Sequence, residues 1–281
     1  MTASQTSATS TAPAGRPNGW ADKFDPAGFL RDTAAIIATE LAKLRRDPSE
    51  ILSRSIQPAL WLLVFGQVFG RMRAIPTGNL DYFSFIAPGI LAQSVLFIAI
   101  FYGINVIWEK DLGILQKLLA SPAPRSALVF GKAVSAGMRA IAQAFIVYLM
   151  ALVAGVDLSW SPLALGGVLV AIVLGAALFS TFSLMIACLV RSRERFMGIG
   201  QVMTMPLFFA SNAIYPISIM PTWLKIVAHI NPLSYQVDLL RALMVNGGVS
   251  TFGIGMDFLM LTGMLIALIV VTSKLYPTIV Q

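Results

Sequence analysis

The chain has 281 residues, of which 57% are apolar and only 12% charged, and its net charge is +7. This composition and a mean hydropathy of +0.79 exclude an ordinary water-soluble domain and predict an all-α integral membrane protein. One cysteine, Cys188, and one histidine, His229, are too few for a His/Cys metal site. The basic residues flank apolar runs instead of forming one soluble face, so nucleic acid is not an expected partner.

The first 25 residues are rich in Ser, Thr, Ala, Pro and Gly and lack the apolar run of a signal peptide, which predicts a disordered cytosolic tail. Residues 26–47 follow, with Phe29, Ile37 and Leu44 near one helical stripe and charges elsewhere. This pattern predicts an amphipathic helix that lies along the membrane surface.

Six apolar runs approach or exceed the length of about 20 residues that a membrane span requires. Most of the 20 Lys and Arg residues lie in the segments on one side of these runs, and the positive-inside bias then places both termini in the cytoplasm. We therefore predict one six-helix transmembrane domain of residues 26–281, with spans at about 54–70, 82–107, 127–155, 162–190, 197–217 and 254–273.

Two segments between the fifth and sixth runs are each about half the length of a span and are separated by Asn231 and Pro232. They predict two short helices on the outer side. In the second, Asp238 and Arg241 have the spacing of an i, i+3 ion pair. In the first, apolar residues at i, i+3, i+4 and i+7 predict one apolar face: Trp223, Ile226, Val227 and Ile230.

The segment WEKDLGILQKLLASPAPR, residues 108–125, predicts a short amphipathic helix in a cytosolic loop. Trp108, Leu112 and Leu115 recur at i, i+4 and i+7, the charges lie on other faces, and Ser121-Pro122 ends the helix. Such an apolar ridge either docks in a groove on a cytosolic partner or rests on the lipid interface, and the pattern alone leaves both readings open.

Groups that could perform chemistry are scarce in the predicted spans. We expect no buried Asp or Glu, with Asp257 only near the outer end of the last span, and we expect Arg139 to extend toward the cytosolic interface. The sequence contains no G-x-x-x-x-G-K-[ST] loop, so that any ATP would be bound by another chain. No catalytic, cofactor-binding or metal-binding residue is predicted, and a membrane-embedded enzyme is the least favoured reading.

Two regions carry a resemblance to a known family. The pattern E-x-x-x-G-x-x-x-x-L-x-x-S-P-x-x-R resembles the coupling-helix loop of type-2 ABC exporter permeases and is present as Glu109, Gly113, Leu118, Ser121, Pro122 and Arg125. Residues 191–244 resemble the signature region of that family, with S-N-A-I-Y-P at 211–216, M-P-x-W-L at 220–224 and N-P-L-S-Y at 231–235. The resemblance is strongest to antibiotic-resistance (daunorubicin-type) and nodulation-factor export permeases, and weaker to polysaccharide and teichoic-acid export permeases.

The resemblance implies a transport subunit that is not itself an enzyme, in a bacterial inner or plasma membrane. It implies a second, identical permease chain and two copies of an ABC ATP-binding subunit, which would hold ATP and Mg²⁺, so no cofactor is expected in this chain. Residues 26–47 would be the connecting helix and 211–244 an outer re-entrant hairpin. The residues expected to couple to the ATPase subunit are Glu109, Lys110, Asp111, Leu112, Gly113, Leu115, Leu118, Ser121, Pro122 and Arg125.

The expected cargo is a hydrophobic or amphipathic compound, such as a drug, lipid or glycolipid, that leaves the cytoplasm. The alternatives are export of polysaccharide or teichoic acid, and a membrane channel or scaffold that uses no ATP. Each polar residue of the expected path has interhelical hydrogen bonding as its competing role. The predicted path comprises Gln67, Gln93, Asn105, Gln201, Thr204, Ser211, Asn212, Phe208 and Phe209.

Overall fold

The computed structural model of the chain describes residues 49–72, 75–78, 80–112, 125–190 and 192–275, together with Ala34, Ala38 and Ala42. Within these residues the fold is all-helical apart from an isolated antiparallel bridge between Leu158 and Val245. The predicted tail, 1–25, lies outside the described residues. So does the predicted interfacial helix, 26–47, except for the three alanines, which are helical and exposed.

A helix occupies most of each of the six predicted apolar runs. By length and composition, four of the described helices can cross a membrane, through Tyr82–Tyr102, Ala133–Val153, Pro162–Leu189 and Ile254–Leu275. A single 3₁₀ turn, Ile217–Ile219, precedes the first of two short helices. In chain order the helices are α1 (Ser49–Met72), α2 (Tyr82–Asp111), α3 (Arg125–Val153), α4 (Pro162–Leu189), α5 (Arg193–Phe209), α6 (Thr222–Ile230), α7 (Pro232–Met244) and α8 (Ile254–Leu275).

Helices α2 and α4 pack against each other at the centre of the bundle. Helix α2 also contacts α1, α3, α5 and α7, whereas α4 contacts α3, α7 and α8. Because α2 is apolar on every face, it can be enclosed on every face, and Ile86, Ile90 and Leu96 are fully buried. Helix α8 is peripheral and leaves Leu259 and Ile266 more than half exposed, which gives a lipid-compatible surface.

Helix α5 ends at Phe209, whereas the predicted fifth run extends to residue 217. After Phe209 the chain turns, and Ser211 to Ile214 are buried against the other helices. The turn packs into a notch in α2, where a Cβ at Gly89 would lie 2.4 Å from the carbonyl oxygen of Ala213. The apolar character of residues 210–217 therefore reflects burial within the protein and not an extension of the helix.

The two short helices have opposite environments. Helix α6 exposes the predicted apolar face, including Trp223 and Ile230, each about two thirds exposed. Helix α7 is buried almost throughout and contacts α2, α4 and α8. Asn231 joins the pair to α5, because its side chain accepts from the Leu233 N–H at the start of α7 and donates to the Leu207 carbonyl at 2.7 Å.

The predicted ion pair on α7 does not form, because each partner has closer polar contacts. The Arg241 guanidinium donates to the carbonyl of Asn212 at 2.7 Å and to that of Phe85 at 3.3 Å, and it lies 3.9 Å from the centre of the Phe85 ring. Asp238 accepts instead from the loop at residues 250–252. Burial lowers the pKa of Arg241 to about 10, against the opposing effect of the Asp238 charge, so Arg241 remains charged at neutral pH.

Two further expectations about charged residues are wrong. Arg139 does not extend to the surface: it is only 8% exposed, and its guanidinium lies 5.2 Å from the centre of the Tyr102 ring. Asp257, in the first turn of α8, is fully buried, so at least one apolar helix does carry a buried carboxyl group. Packing of α7 against α8 encloses Asp257. The sequence around Asp257 does not indicate this contact, because α7 is a separate segment of the chain.

Candidate functional site

A cavity of about 430 Å³ lies between α1, α2, α3 and α5. Four of its lining side chains are amides, and none of the described residues around it is charged. The lining consists of Gln57, Pro58, Gln93, Ser94, Phe97, Ile98, Phe101, Gln143 and Gln201.

The cavity lies at the middle of two candidate membrane spans. Gln143 is the central residue of Ala133–Val153, and Gln93 is one residue from the centre of Tyr82–Tyr102. Because water is scarce at that depth in a bilayer, polar side chains there must find partners within the protein or in whatever fills the cavity.

The two central amides are incompletely hydrogen-bonded. Gln93 is 2% exposed, and neither its amide nitrogen nor its oxygen has a partner among the described residues. The Gln143 amide nitrogen donates to the Ser55 hydroxyl at 3.0 Å, but its oxygen also lacks a described partner. Leaving a buried polar group unpaired costs about 1–3 kcal/mol, so Gln93 does not stabilise the empty bundle. Its hydrogen-bonding atoms are available to a bound molecule.

Aromatic rings form another part of the wall. The Phe97 and Phe101 rings stack with centroids 5.9 Å apart and an interplanar angle of 26°. Ser94 offers little to the cavity because its hydroxyl donates to the Leu91 carbonyl at 2.7 Å. Uncharged amides and apolar rings therefore border the same space, which is the usual composition of a small-molecule site.

The structure brings together two residues of the predicted path, Gln93 and Gln201, in this cavity. Gln67 is exposed on another part of α1, and the side chain of Asn105 lies outside the described residues. Sequence reasoning missed Gln143, although a polar residue at the centre of an apolar run was the available signal.

The other polar residues of the predicted path make contacts within the fold. The Thr204 hydroxyl donates to the Gly200 carbonyl at 2.5 Å and that of Ser211 to the Phe208 carbonyl at 2.7 Å. The Asn212 amide donates to the Asp238 carboxylate at 3.3 Å. Their proposed role in transport stays a prediction.

A row of aromatic rings follows α1. Trp61 stacks on Phe65 at 4.6 Å between centroids, and Phe65 on Phe69 at 5.5 Å. Trp61 also contacts the two predicted path phenylalanines of α5, Phe208 at 5.6 Å and Phe209 at 6.0 Å. Phe208 is fully buried, whereas Phe209 is partly exposed.

The predicted coupling segment begins at the end of α2. Glu109, Lys110 and Asp111 form the last residues of α2, and Leu112 follows in a turn with 68% of its surface exposed. Arg125 is the first residue of α3. The remaining coupling residues lie outside the described residues: Gly113, Leu115, Leu118, Ser121 and Pro122.

The family model for ABC-2 type transporters matches residues 31–245, which include every helix that lines the cavity. The chain belongs to this family. A putative transport permease, ycf38, of Cyanophora paradoxa is 28% identical over 76% of this chain and 74% of its own. A daunorubicin resistance ABC transporter permease protein, DrrB1, of Streptomyces coeruleorubidus is 24% identical over 82% of this chain and 80% of its own.

A third relative, a probable doxorubicin resistance ABC transporter permease protein, DrrC, of Mycobacterium tuberculosis, is 23% identical over 81% of this chain and 82% of its own. Family membership and the four apolar helices make the ABC-2 chain a multi-pass membrane permease subunit, and the relatives that it matches are transport permeases. Membership in an ABC family also implies an ATP-binding partner subunit.

Proposed function

We propose that the chain is the six-span permease of an ATP-driven exporter that moves an uncharged amphipathic compound out of the cytoplasm. The observation that carries the proposal is the cavity at mid-span, where Gln93 presents an unpaired donor and an unpaired acceptor beside stacked rings. A bound molecule that forms hydrogen bonds with the Gln93 amide would remove the free-energy cost of leaving that amide buried and unpaired.

The lining of the cavity supports this class of cargo. The cavity volume of about 430 Å³ is within the range of small-molecule sites, about 300–1,000 Å³. A compound with a flat apolar body and amide, hydroxyl or carbonyl groups fits this space, as a drug or glycolipid headgroup would. The row of rings along α1 supports the alternative, polysaccharide or teichoic-acid export, because sugar faces stack on aromatic rings.

The rest of the assembly follows the family. Two identical permease chains would pair with two ATP-binding subunits, which would hold ATP and Mg²⁺. The segment from Glu109 to Arg125 would contact those subunits at the cytosolic end. On this proposal the protein lies in the bacterial inner or plasma membrane, with both termini in the cytoplasm. Helices α1 and α5 also span the membrane, and residues 211–244 form the outer hairpin. A hydrophobic stripe on α1 that includes Leu60 and Val64, each more than half exposed, faces lipid or the second permease.

The first experiment tests ATP coupling. The chain is extracted gently from native membranes, the copurifying proteins are identified by mass spectrometry, and ATP hydrolysis by the complex is measured. We expect a stoichiometric ATP-binding subunit that is lost when Leu112 and Leu115 are both changed to Asp. Leu163→Asp is the matched control. Leu163 is also exposed, but it lies at the start of α4, which follows the end of α3, whereas the coupling segment precedes the start of α3. A pure chain with no ATPase partner would support the channel or scaffold alternative.

The second experiment tests the cargo site. Gln93→Met keeps the side-chain volume but removes both hydrogen-bonding groups. We expect half-maximal stimulation of ATP hydrolysis to require about 5- to 150-fold more drug, since one hydrogen bond with an otherwise unpaired amide contributes about 1–3 kcal/mol. Basal hydrolysis and copurification of the partner serve as controls. Unchanged drug stimulation, together with loss of polymer export in a Trp61→Ala variant, would favour the polysaccharide alternative.

A further inference from the structure

A second polar cluster, which shares no residue with the cavity lining, lies where α7 meets the start of α8. It contains two fully buried carboxyl groups, Asp238 and Asp257, with Ser250 between them. The Ser250 hydroxyl oxygen lies 2.9 Å from an oxygen of each carboxyl group. The same hydroxyl oxygen accepts from the Gly253 N–H at 2.7 Å.

The number of protons in this cluster is informative. A serine hydroxyl has one proton to donate and two lone pairs with which to accept. If both carboxyl groups were ionised, Ser250 could donate to only one of them, and the other contact would place two acceptor oxygens together without a hydrogen. One additional proton is therefore required between Ser250 and a carboxyl group.

The surroundings decide which carboxyl group holds that proton. Asp238 already accepts from the backbone N–H groups of Thr251 at 2.6 Å and Phe252 at 2.9 Å, and from the Asn212 amide. These donors favour a carboxylate. Asp257 has only Ser250 as a described side-chain partner, and its other carboxyl oxygen has none.

We infer that Asp257 is a buried proton-binding site, a neutral carboxylic acid that donates to Ser250 while Ser250 donates to the Asp238 carboxylate. In this arrangement every contact of Ser250 has one proton, and the hydroxyl donates once and accepts twice. The unpaired Asp257 oxygen is then a carbonyl oxygen instead of a charged one, which is far less costly to bury. The buried charges also balance, because α7 then contributes one buried carboxylate, Asp238, and one buried guanidinium, Arg241.

The proton would join α7 to α8. Asp238 belongs to α7, Ser250 to the connecting loop and Asp257 to the first turn of α8, so the chain of two hydrogen bonds spans all three. Loss of the proton would leave two buried negative charges that repel each other across one hydroxyl group. The proton site requires neither a bound cargo nor ATP coupling.

Infrared spectroscopy of the full-length protein in detergent at neutral pH tests the inference directly. We expect the native protein to show the carbonyl stretch of a buried carboxylic acid and Asp257→Asn to lose it. Asp157→Asn is the matched control, because Asp157 is exposed in another loop and its substitution should leave the band in place. Absence of a band that depends on Asp257 would overturn the inference.

Melting midpoints give a second, independent readout. An asparagine amide can donate to Ser250 as the acid does, so Asp257→Asn should leave the midpoint unchanged, whereas Asp238→Asn should lower it. Equal losses in the two variants would contradict a neutral Asp257. A midpoint that rises with added Na⁺ or Ca²⁺, without the infrared band, would show a cation between two carboxylates and would also overturn the inference.

Discussion

Replacement of Gly89 by alanine tests the close packing of α2 against the turn that follows α5. An added Cβ would lie 2.4 Å from the Ala213 carbonyl oxygen and 2.8 Å from the Ala213 Cα, both backbone atoms. Since ordinary van der Waals contact begins at 3.4 Å, α2 and the turn must separate by about 1 Å. Such overpacking costs about 1–3 kcal/mol, and it displaces the turn that holds the Asn212 carbonyl against Arg241.

The opposing gain is small, because alanine in a helix is favoured over glycine by about 0.5–1 kcal/mol. Gly263→Ala on α8 is the control, since no atom lies within 4 Å of an added Cβ there. We expect Gly89→Ala to be less stable than this control by about 2 kcal/mol, or roughly 4 °C or more in the melting midpoint at a fixed scan rate in detergent. If the two variants melt together, the backbone contact between α2 and the turn is not present in the protein.

Three other substitutions have defined outcomes. Gln93→Met should raise the melting midpoint, because it removes an unpaired buried amide that costs about 1–3 kcal/mol. A lower midpoint would mean that Gln93 has a structural partner. Arg241→Lys should cost about 1.5–3 kcal/mol in a denaturation assay, because an ammonium group cannot serve two carbonyl groups and stack on Phe85; native stability would refute this. Gly175→Ala should reduce stability relative to Gly166→Ala on the same helix. A Cβ at Gly175 would lie 2.1 Å from the Gln236 amide nitrogen, whereas a Cβ at Gly166 would have no atom within 4 Å. Equal melting midpoints would show that Gln236 moves aside freely.

The helices were largely predictable because apolar length is a local property. A run such as residues 162–190 contains enough apolar residues to require a helix in lipid, whatever its neighbours are, and α4 occupies Pro162–Leu189. The fifth run was harder, since an apolar residue buried against protein looks the same in sequence as one that faces lipid. The tertiary structure shows that the chain after Phe209 packs as a turn into the notch at Gly89.

The candidate site was predicted only in part for a related reason. Gln93 and Gln201 stood out as polar residues in apolar runs, but nothing in the sequence showed that they would share a cavity with Gln143, which belongs to another helix. Thr204 had the same sequence signal as Gln93, yet its hydroxyl donates to its own helix. Whether a polar group in a span is paired depends on what packs against it.

The sequence by itself determined the membrane class, the positions of the apolar helices and the family, because composition, run length and the order of motifs need no knowledge of packing. The tertiary structure decided which polar groups meet. Asp238 and Arg241 are three residues apart, yet each contacts other segments, whereas Asp238 and Asp257 share one hydroxyl group across a loop. Hydrogen bonds depend on distances of a few tenths of an ångström, and only the packed helices set those distances.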